Sequence, residues 1–272
     1  MTKPQPFVKW AGGKRSLIDE IEKHFPAKFN HYFEPFLGGG AVFFAFSERI
    51  KKATLSDHNL KLMVTYKVIK EEPYKLIEKL KEHEYKHSKQ YYYSIRKRNF
   101  LQLGKCIDLA AQLIYLNRTC YNGLYRVNNS GEFNVPMGNY KNPNITQEDS
   151  IIGCHEVLKK ADIDLGDFQY IKPQKGDFVY FDPPYDPIVD DQSFTRYTER
   201  NFNQQDQIRL SKFIKKLDKS GIFIMLSNSR TTFIESLYPK RSFRHNIVYA
   251  PRLVNCKADK RGEVQELLIT NY

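Results

Sequence analysis

The run Gly176-Asp177-Phe178-Val179-Tyr180-Phe181-Asp182-Pro183-Pro184-Tyr185 sets the architecture of the chain. Phe178 to Phe181 is an unbroken aromatic and β-branched run after a Gly-Asp turn, which predicts a buried strand. The strand must stop at Asp182-Pro183-Pro184. Neither proline can donate a ladder hydrogen bond and each restricts the residue before it, so the last carboxylate and carbonyls leave the sheet at its edge. In an open α/β sheet that edge is where ligands bind.

An ionised Asp182 and the Pro183 carbonyl are both acceptors, with no donor at either position. Together they suit a group with two N–H donors, such as the exocyclic amine of a nucleobase, and Tyr185 offers a flat face for stacking. Drawing on both amine hydrogens would pull the nitrogen lone pair out of conjugation and make a poor nucleophile able to attack. The same residues also describe a Pro-Pro turn closed by an aspartate cap.

The 272 residues can bury one full core and an insertion, and 41% hydrophobic content is ordinary for a globular chain. Lys and Arg number 43 against 31 Asp and Glu, a formal charge of +12 that fits a polyanion partner. Aromatic residues make up 14%, and rings beside positive charge suit base stacking better than a membrane. No apolar run approaches a membrane span, and Met1 to Pro6 has no apolar signal core. Cys106, Cys120, Cys154 and Cys256 show no CxxC pairing, so reduced thiols in a cytoplasmic protein are expected.

Residues 7–16 end in Gly12-Gly13-Lys14, but a Walker loop needs glycine where Val8 stands and Ser or Thr where Arg15 stands. What remains is a glycine turn that brings Lys14 and backbone N–H groups near an anion, then a helix from about Ser16 to His24. Trp10 reads equally well as core. Residues 31–46 read as a strand, the Gly38-Gly39-Gly40 turn and an apolar helix, the βα start of a nucleotide site. Phe43 stands in the place of a third glycine, so the dinucleotide fingerprint is absent. A strand from Ala53 to Ser56 delivers Asp57, at the distance from Gly38 where an acid accepts from a ribose diol. Capping the helix that begins near Leu60 would use Asp57 as well.

Helices are predicted near 60–71, 74–87 and 106–118. His83-Glu84-Tyr85-Lys86-His87 matches the H-E-x-x-H zinc motif, yet its surroundings are nearly all polar and no third ligand follows, so a solvated helix face is expected. Tyr91 to Tyr93 with Arg96 to Arg98 suit phosphate contact or an exposed helix. Leu124 to Val127 and Glu132 to Val135 bracket Asn129-Ser130-Gly131, a hairpin signal. Arg118, Asn122, Arg126 and Tyr140 around it are side chains that read base edges, or that decorate an exposed hairpin. The insertion is expected to end near Asn144. A strand from Ile163 to Leu165 then leads to Asp167-Phe168, a carboxylate and ring that suit an adenine. Asp186 to Asn201 reads as a lid. A helix over 204–218, a strand over 221–227 and two antiparallel strands, 244–249 and 264–270, joined by the basic stretch Arg252 to Arg261, complete the chain.

Taken together, the Trp10 to Lys14 turn, Phe33-Glu34-Pro35-Phe36 with Gly38 to Gly40, Asn122-Gly123-Leu124-Tyr125-Arg126 with Phe133-Asn134-Val135-Pro136, and Asp182 to Tyr185 resemble the Dam-type DNA adenine-N6 methyltransferases, in the motif order of their α group. The resemblance spans nearly the whole chain. It implies an α/β, Rossmann-like S-adenosylmethionine-dependent methyltransferase sheet over 1–58 and 145–272, with a helical and β-hairpin DNA-recognition domain inserted at 59–144. It implies S-adenosylmethionine as methyl donor, double-stranded DNA as partner, GATC as the commonest target, and no metal, no membrane and a monomer in solution. Carried over residue by residue, Asp182, Pro183, Pro184 and Tyr185 are catalytic. Trp10, Gly12, Lys14, Glu34, Pro35, Phe36, Gly38, Gly40, Asp57, Asp167, Phe168 and Asp182 would hold the cofactor. Lys9, Arg118, Tyr121, Asn122, Leu124, Arg126, Pro136 and Tyr140 would meet DNA, Lys9 and Arg126 at guanines. Cytosine-N4 and RNA amine methylation stay as neighbouring readings, and a zinc hydrolase on His83 and His87 as the distant one.

Overall fold

In the computed structural model, the run that opened the sequence reading is β4 (Phe178–Phe181), buried at every residue. It pairs in parallel with β1 (Tyr32–Glu34) on one side and β5 (Phe223–Ser229) on the other. The structure describes residues 4–187, 202–251 and 263–272. Most of the expected lid and the basic stretch after Pro251 lie outside them.

Adding β2 (Ala53–Asp57), β3 (Ala161–Leu165), β6 (Arg244–Pro251) and β7 (Glu263–Thr270) gives a seven-stranded mixed sheet ordered β3-β2-β1-β4-β5-β7-β6 among the described residues. Strands β2, β1, β4 and β5 run parallel, while β7 is antiparallel to both β5 and β6. The order reverses between β1 and β4, so the carboxyl ends of those two strands, Glu34 and Phe181, flank the switch point where such sheets bind ligands.

Packing divides the chain into two compact units. One comprises Lys14–Leu37, Ile50–Ser56 and Gly166–Tyr272. It holds α1 (Ile18–His24), α8 (Gln204–Lys219), α9 (Thr232–Leu237) and a core of Phe33, Val179, Phe181, Leu210, Ile224 and Leu267. Helix α8 starts at a capping box, in which Asn203 accepts from the Asp206 backbone and Asp206 from the Asn203 backbone. Its buried residues Gln207, Leu210, Ser211, Ile214 and Leu217 fall on one face at helical spacing.

The other unit comprises Met1–Gly13, Gly38–Arg49 and Asp57–Leu165. It carries α2 (Ala41–Ala45), α3 (Leu60–Glu71), α4 (Pro73–Tyr85), α5 (Lys89–Arg96), α6 (Cys106–Thr119) and α7 (Glu148–Leu158). Sequence reasoning placed the inserted domain at 59–144, whereas packing groups 57–165 with the N-terminal turn and with 38–49. The expected hairpin strands are not a continuous ladder. The turn is closed by isolated bridges, Val127 to Phe133 and Cys120 to Met137, the first made by the Asn128 and Asn134 backbone N–H groups donating to the Glu132 and Arg126 carbonyls.

The expected solvated face holds for Glu84, Tyr85 and Lys86, which are exposed, but not for His83. His83 is 3% exposed, its ring stacks on Tyr115, and Nδ1 lies 2.8 Å from the Tyr91 hydroxyl. Burial holds its pKa down at about 4, so it packs as a neutral aromatic. His87 Nδ1 meets a different tyrosine, Tyr115, and Glu84 accepts from the Thr146 hydroxyl and the Ile145 backbone. The H-E-x-x-H residues thus tie α4 to α5, α6 and the chain before α7.

Candidate active site

Asp182 is the first residue beyond β4, delivered by the strand as the two prolines end it. Lys14 Nζ lies 2.8 Å from Asp182 Oδ1, an ion pair with side-chain exposures of only 6% and 18%. Burial pushes the Asp182 carboxyl up to about 6; the Lys14 ammonium opposes that shift and the Glu266 carboxylate adds to it. The same ammonium stands 4.7 Å from the centroid of the Tyr185 ring. One N–H donor group is therefore held over the aromatic face and against the carboxylate at once. A base amine stacked on Tyr185 needs that same arrangement.

The far end of Tyr185 is anchored. Its hydroxyl donates to Glu266 Oε2 at 2.7 Å, and burial, with the charges of Asp182 and Glu266, raises the phenol well above its ordinary value. Downstream, Gln207 Nε2 donates to the Pro184 carbonyl at 2.8 Å while Asn228 Nδ2 donates to Gln207 Oε1 at 3.1 Å. Asn228 Oδ1 accepts from the Asp186 backbone, and Ser229 and Thr231 donate to Asp186. This buried network fixes the exit of the tetrapeptide. Among the described residues no donor reaches the Pro183 carbonyl.

In the same unit Glu34 is 2% exposed and accepts from the Tyr32 hydroxyl at 2.7 Å. Pro35 follows it, and Phe36 stacks on Phe168 at 5.5 Å. Asp167 is bound more tightly than sequence reasoning foresaw. It pairs with Arg209 Nη1 at 2.9 Å and accepts from the Gln169 backbone, and the Arg209 guanidinium also lies 4.5 Å from the Phe168 centroid. Phe168 is 2% exposed and belongs to the core, so Phe36 is the half-exposed ring of this pair.

The glycine turn belongs to the other unit. Gly38 N donates to Asp57 Oδ2 at 2.8 Å and Asn59 N to Asp57 Oδ1 at 2.9 Å, but Asn59, not Asp57, caps α3, its side chain accepting from the Leu62 backbone. Burial raises the Asp57 carboxyl pKa against the backbone N–H groups of Gly38, Asn59 and His58. Gly38 has φ +49° and a Cβ there would stand 2.8 Å from Trp10, whose ring stacks on Tyr125 at 4.9 Å. Gly12 has φ 75°, which shapes the preceding turn. Gly40 has φ +68°, and a Cβ would stand 2.7 Å from the Tyr66 hydroxyl, which itself donates to the Gly38 carbonyl. Gly40→Ala is expected to cost about 2 kcal/mol, from left-handed strain and the displaced Tyr66, read as a fall in the denaturant midpoint.

This unit also gathers most of the expected DNA-contact residues. Lys9 is exposed, and Asn117 clamps its backbone on both sides, accepting from Lys9 N at 2.7 Å and donating to Lys9 O at 2.8 Å. Asn117 also donates to the Gly123 carbonyl, and the Lys9 stem packs where a Gly123 side chain would be, so Lys9 stands beside the hairpin. Lys9 Nζ reaches the Tyr140 hydroxyl at 3.3 Å. Tyr121, Leu124 and Pro136 are exposed, Tyr121 N donates to the Pro136 carbonyl, and Asn122 is exposed at φ 53°. Arg126 Nε donates to Asn134 Oδ1 at 2.7 Å, which aims its guanidinium. Arg118 lies on α6 rather than on the hairpin, and it donates to the Phe7 carbonyl and to Gln147. It secures the segment leading to Lys9. Asn117, Gln207, Asn228 and Glu266 were missed by sequence reasoning. For Asn117 the signal was a polar residue closing a buried apolar run, after Leu113 to Leu116.

Residues 10–251 match the model of the D12 class N6 adenine-specific DNA methyltransferases. The chain is 44% identical over 288 residues to the type II methyltransferase M.MjaIII of Methanocaldococcus jannaschii, covering 98% of this chain and 99% of that one. It is 42% identical over 275 residues to the type II methyltransferase M1.LlaDCHI of Lactococcus lactis subsp. cremoris, covering 98% and 95%. A DNA adenine methylase of Vibrio cholerae serotype O1 is 33% identical over 273 residues, covering 98% and 96%.

Proposed function

Because the chain belongs to the D12 class of N6 adenine-specific DNA methyltransferases, we propose that Asp182, the Pro183 carbonyl and Tyr185 hold a flipped-out adenine of a short duplex site, with GATC as that site. The observation that supports this most directly is the Lys14 ammonium held against Asp182 and over the Tyr185 ring, a cation in the position and contacts of an exocyclic amine.

The family implies S-adenosylmethionine, which supplies a methyl group on a sulfonium sulfur. The residues present fit such a group. Asp57, half-buried beside the glycine turn, is an acceptor of the kind a ribose diol needs. Phe36, half-exposed and backed by the buried Phe168, is the ring that would offer aromatic surface to an adenine. Asp182 and the Pro183 carbonyl would each accept one N6–H, which localises the lone pair on nitrogen; the N–C bond would form in line as the methyl–sulfur bond breaks, a neutral thioether leaving, and the surplus N6 proton would pass to Asp182, with no covalent enzyme intermediate. Lys9 and Arg126 contact guanines, and Tyr121, Asn122, Leu124, Pro136 and Tyr140 line the same surface; Arg118 acts by holding the Phe7 to Lys9 segment.

The test is methyl transfer from labelled S-adenosylmethionine to a duplex containing GATC and to one with those bases scrambled, followed by nucleoside analysis. N6-methyladenine with GATC alone supports both site and chemistry. Equal label in both duplexes overturns the site, and label in N4-methylcytosine overturns the base assignment. Arg126→Ala is expected to relax discrimination at one base pair by about 1–3 kcal/mol, measured as relative kcat/KM across singly substituted duplexes. An unchanged preference would mean that Arg126 reads no base.

A further inference from the structure

Tyr185 follows two prolines on chain that has left the sheet, so no strand ladder fixes its ring. What fixes it is at the other end. Its hydroxyl donates to Glu266 Oε2 at 2.7 Å, a charge-assisted hydrogen bond to a residue on β7. Glu266 is paired on both sides, with Ser229 of β5 and Val248 of β6, so its backbone cannot shift without breaking two ladders. We propose that Glu266 is a positioning residue for methyl transfer: it holds the Tyr185 ring at the tilt that places a stacked base amine on Asp182.

This rests on the reading of Tyr185 as the stacking face for the target base. The raised pKa of the phenol keeps its proton in place, so Tyr185 stays the donor across the working range. Without Glu266 the ring is free to rock about its side-chain bonds. A stacked base then follows the ring and its amine leaves Asp182, a misplacement of the size that lowers rates without abolishing binding. Glu266 touches no reacting atom in this scheme. Its effect on the reaction runs through Tyr185.

The experiment compares Glu266→Ala, Glu266→Gln and Tyr185→Phe in full-length protein, with kcat, KM for duplex and duplex affinity measured for each. Fluorescence of 2-aminopurine placed at the target adenine reports flipping and stacking. Glu266→Ala should lower kcat roughly 10- to 100-fold with KM nearly unchanged. Tyr185→Phe, which keeps the ring and removes only the hydroxyl, should show a loss of the same size. The double variant should be no worse than either single one, because both remove one hydrogen bond. Glu266→Gln should recover most of the rate, since its amide oxygen accepts from the same hydroxyl. Additive losses in the double variant, no rescue by Gln, or normal kcat in Tyr185→Phe would each overturn the assignment, and Tyr185→Phe keeps the test valid if Glu266→Ala fails to fold. Absence of a fluorescence change with the unmodified protein would instead overturn the flipped-base reading. A change there, with unaltered Glu266 variants, overturns the Glu266 assignment alone.

Discussion

Asp182→Asn is expected to abolish methyl transfer, by about 10³-fold or more, while duplex affinity stays nearly unchanged. The substitution keeps the shape of the side chain but turns one of its two acceptors into a donor. The amide can still turn its oxygen toward one N–H of the base amine, as the carboxylate now does toward the Lys14 ammonium at 2.8 Å, but the negative charge that strengthens that hydrogen bond is gone, so the amine keeps its lone pair largely in the ring. Duplex affinity is expected to survive because the proposed DNA contacts, Lys9 clamped by Asn117 and Arg126 aimed by Asn134, make no use of the Asp182 carboxylate. Single-turnover transfer and a gel-shift titration on the same preparation check both halves. Turnover within about tenfold of the unmodified enzyme would remove Asp182 from the chemistry, since losing one preorganised charge-stabilising group costs ~10² or more.

The same residue shows why some of the site was legible before the structure. Strand β4 and its stop at two prolines are local properties of four or five neighbouring side chains, and the Gly38 turn and Asp57 are set by backbone freedom and strand spacing. What sequence reasoning missed depends on partners far along the chain. Arg118 reaches the Phe7 carbonyl across 111 residues, and Tyr185 reaches Glu266 across 81. His83 looked solvated because its sequence neighbours are polar, yet Tyr91 and Tyr115 cover it. Asp167 and Phe168 were placed beside an adenine from their position after a strand; nothing nearby announced that Arg209, on α8, would pair with the one and cover the other. Periodicity and turn chemistry locate backbone elements, whereas the second layer of hydrogen bonds is tertiary.

A pH profile gives the other large effect. For transfer, Asp182 must be ionised, and burial has pushed its carboxyl up to about 6. The rate in kcat/KM should therefore rise with pH, falling about tenfold for each unit below 6 and levelling off above it. The sign for stability is opposite. The folded value lies above the unfolded carboxylate range, so the native state holds this proton more tightly. The stability it lends is full below the unfolded value, is lost as pH rises through the folded one, and amounts to roughly 3 kcal/mol. Function at neutral pH thus uses Asp182 in the form that folding disfavours. Two substitutions should move the acid limb in opposite directions and so identify the titrating group. Lys14→Met removes the ammonium that lowers the Asp182 pKa and should shift the limb upward, whatever it does to the plateau. Glu266→Gln removes a carboxylate that raises the same pKa and should shift it downward. Initial rates across about pH 5 to 8, at subsaturating duplex, measure all three curves. A limb that stays in place in both variants would mean that a group other than Asp182 sets it.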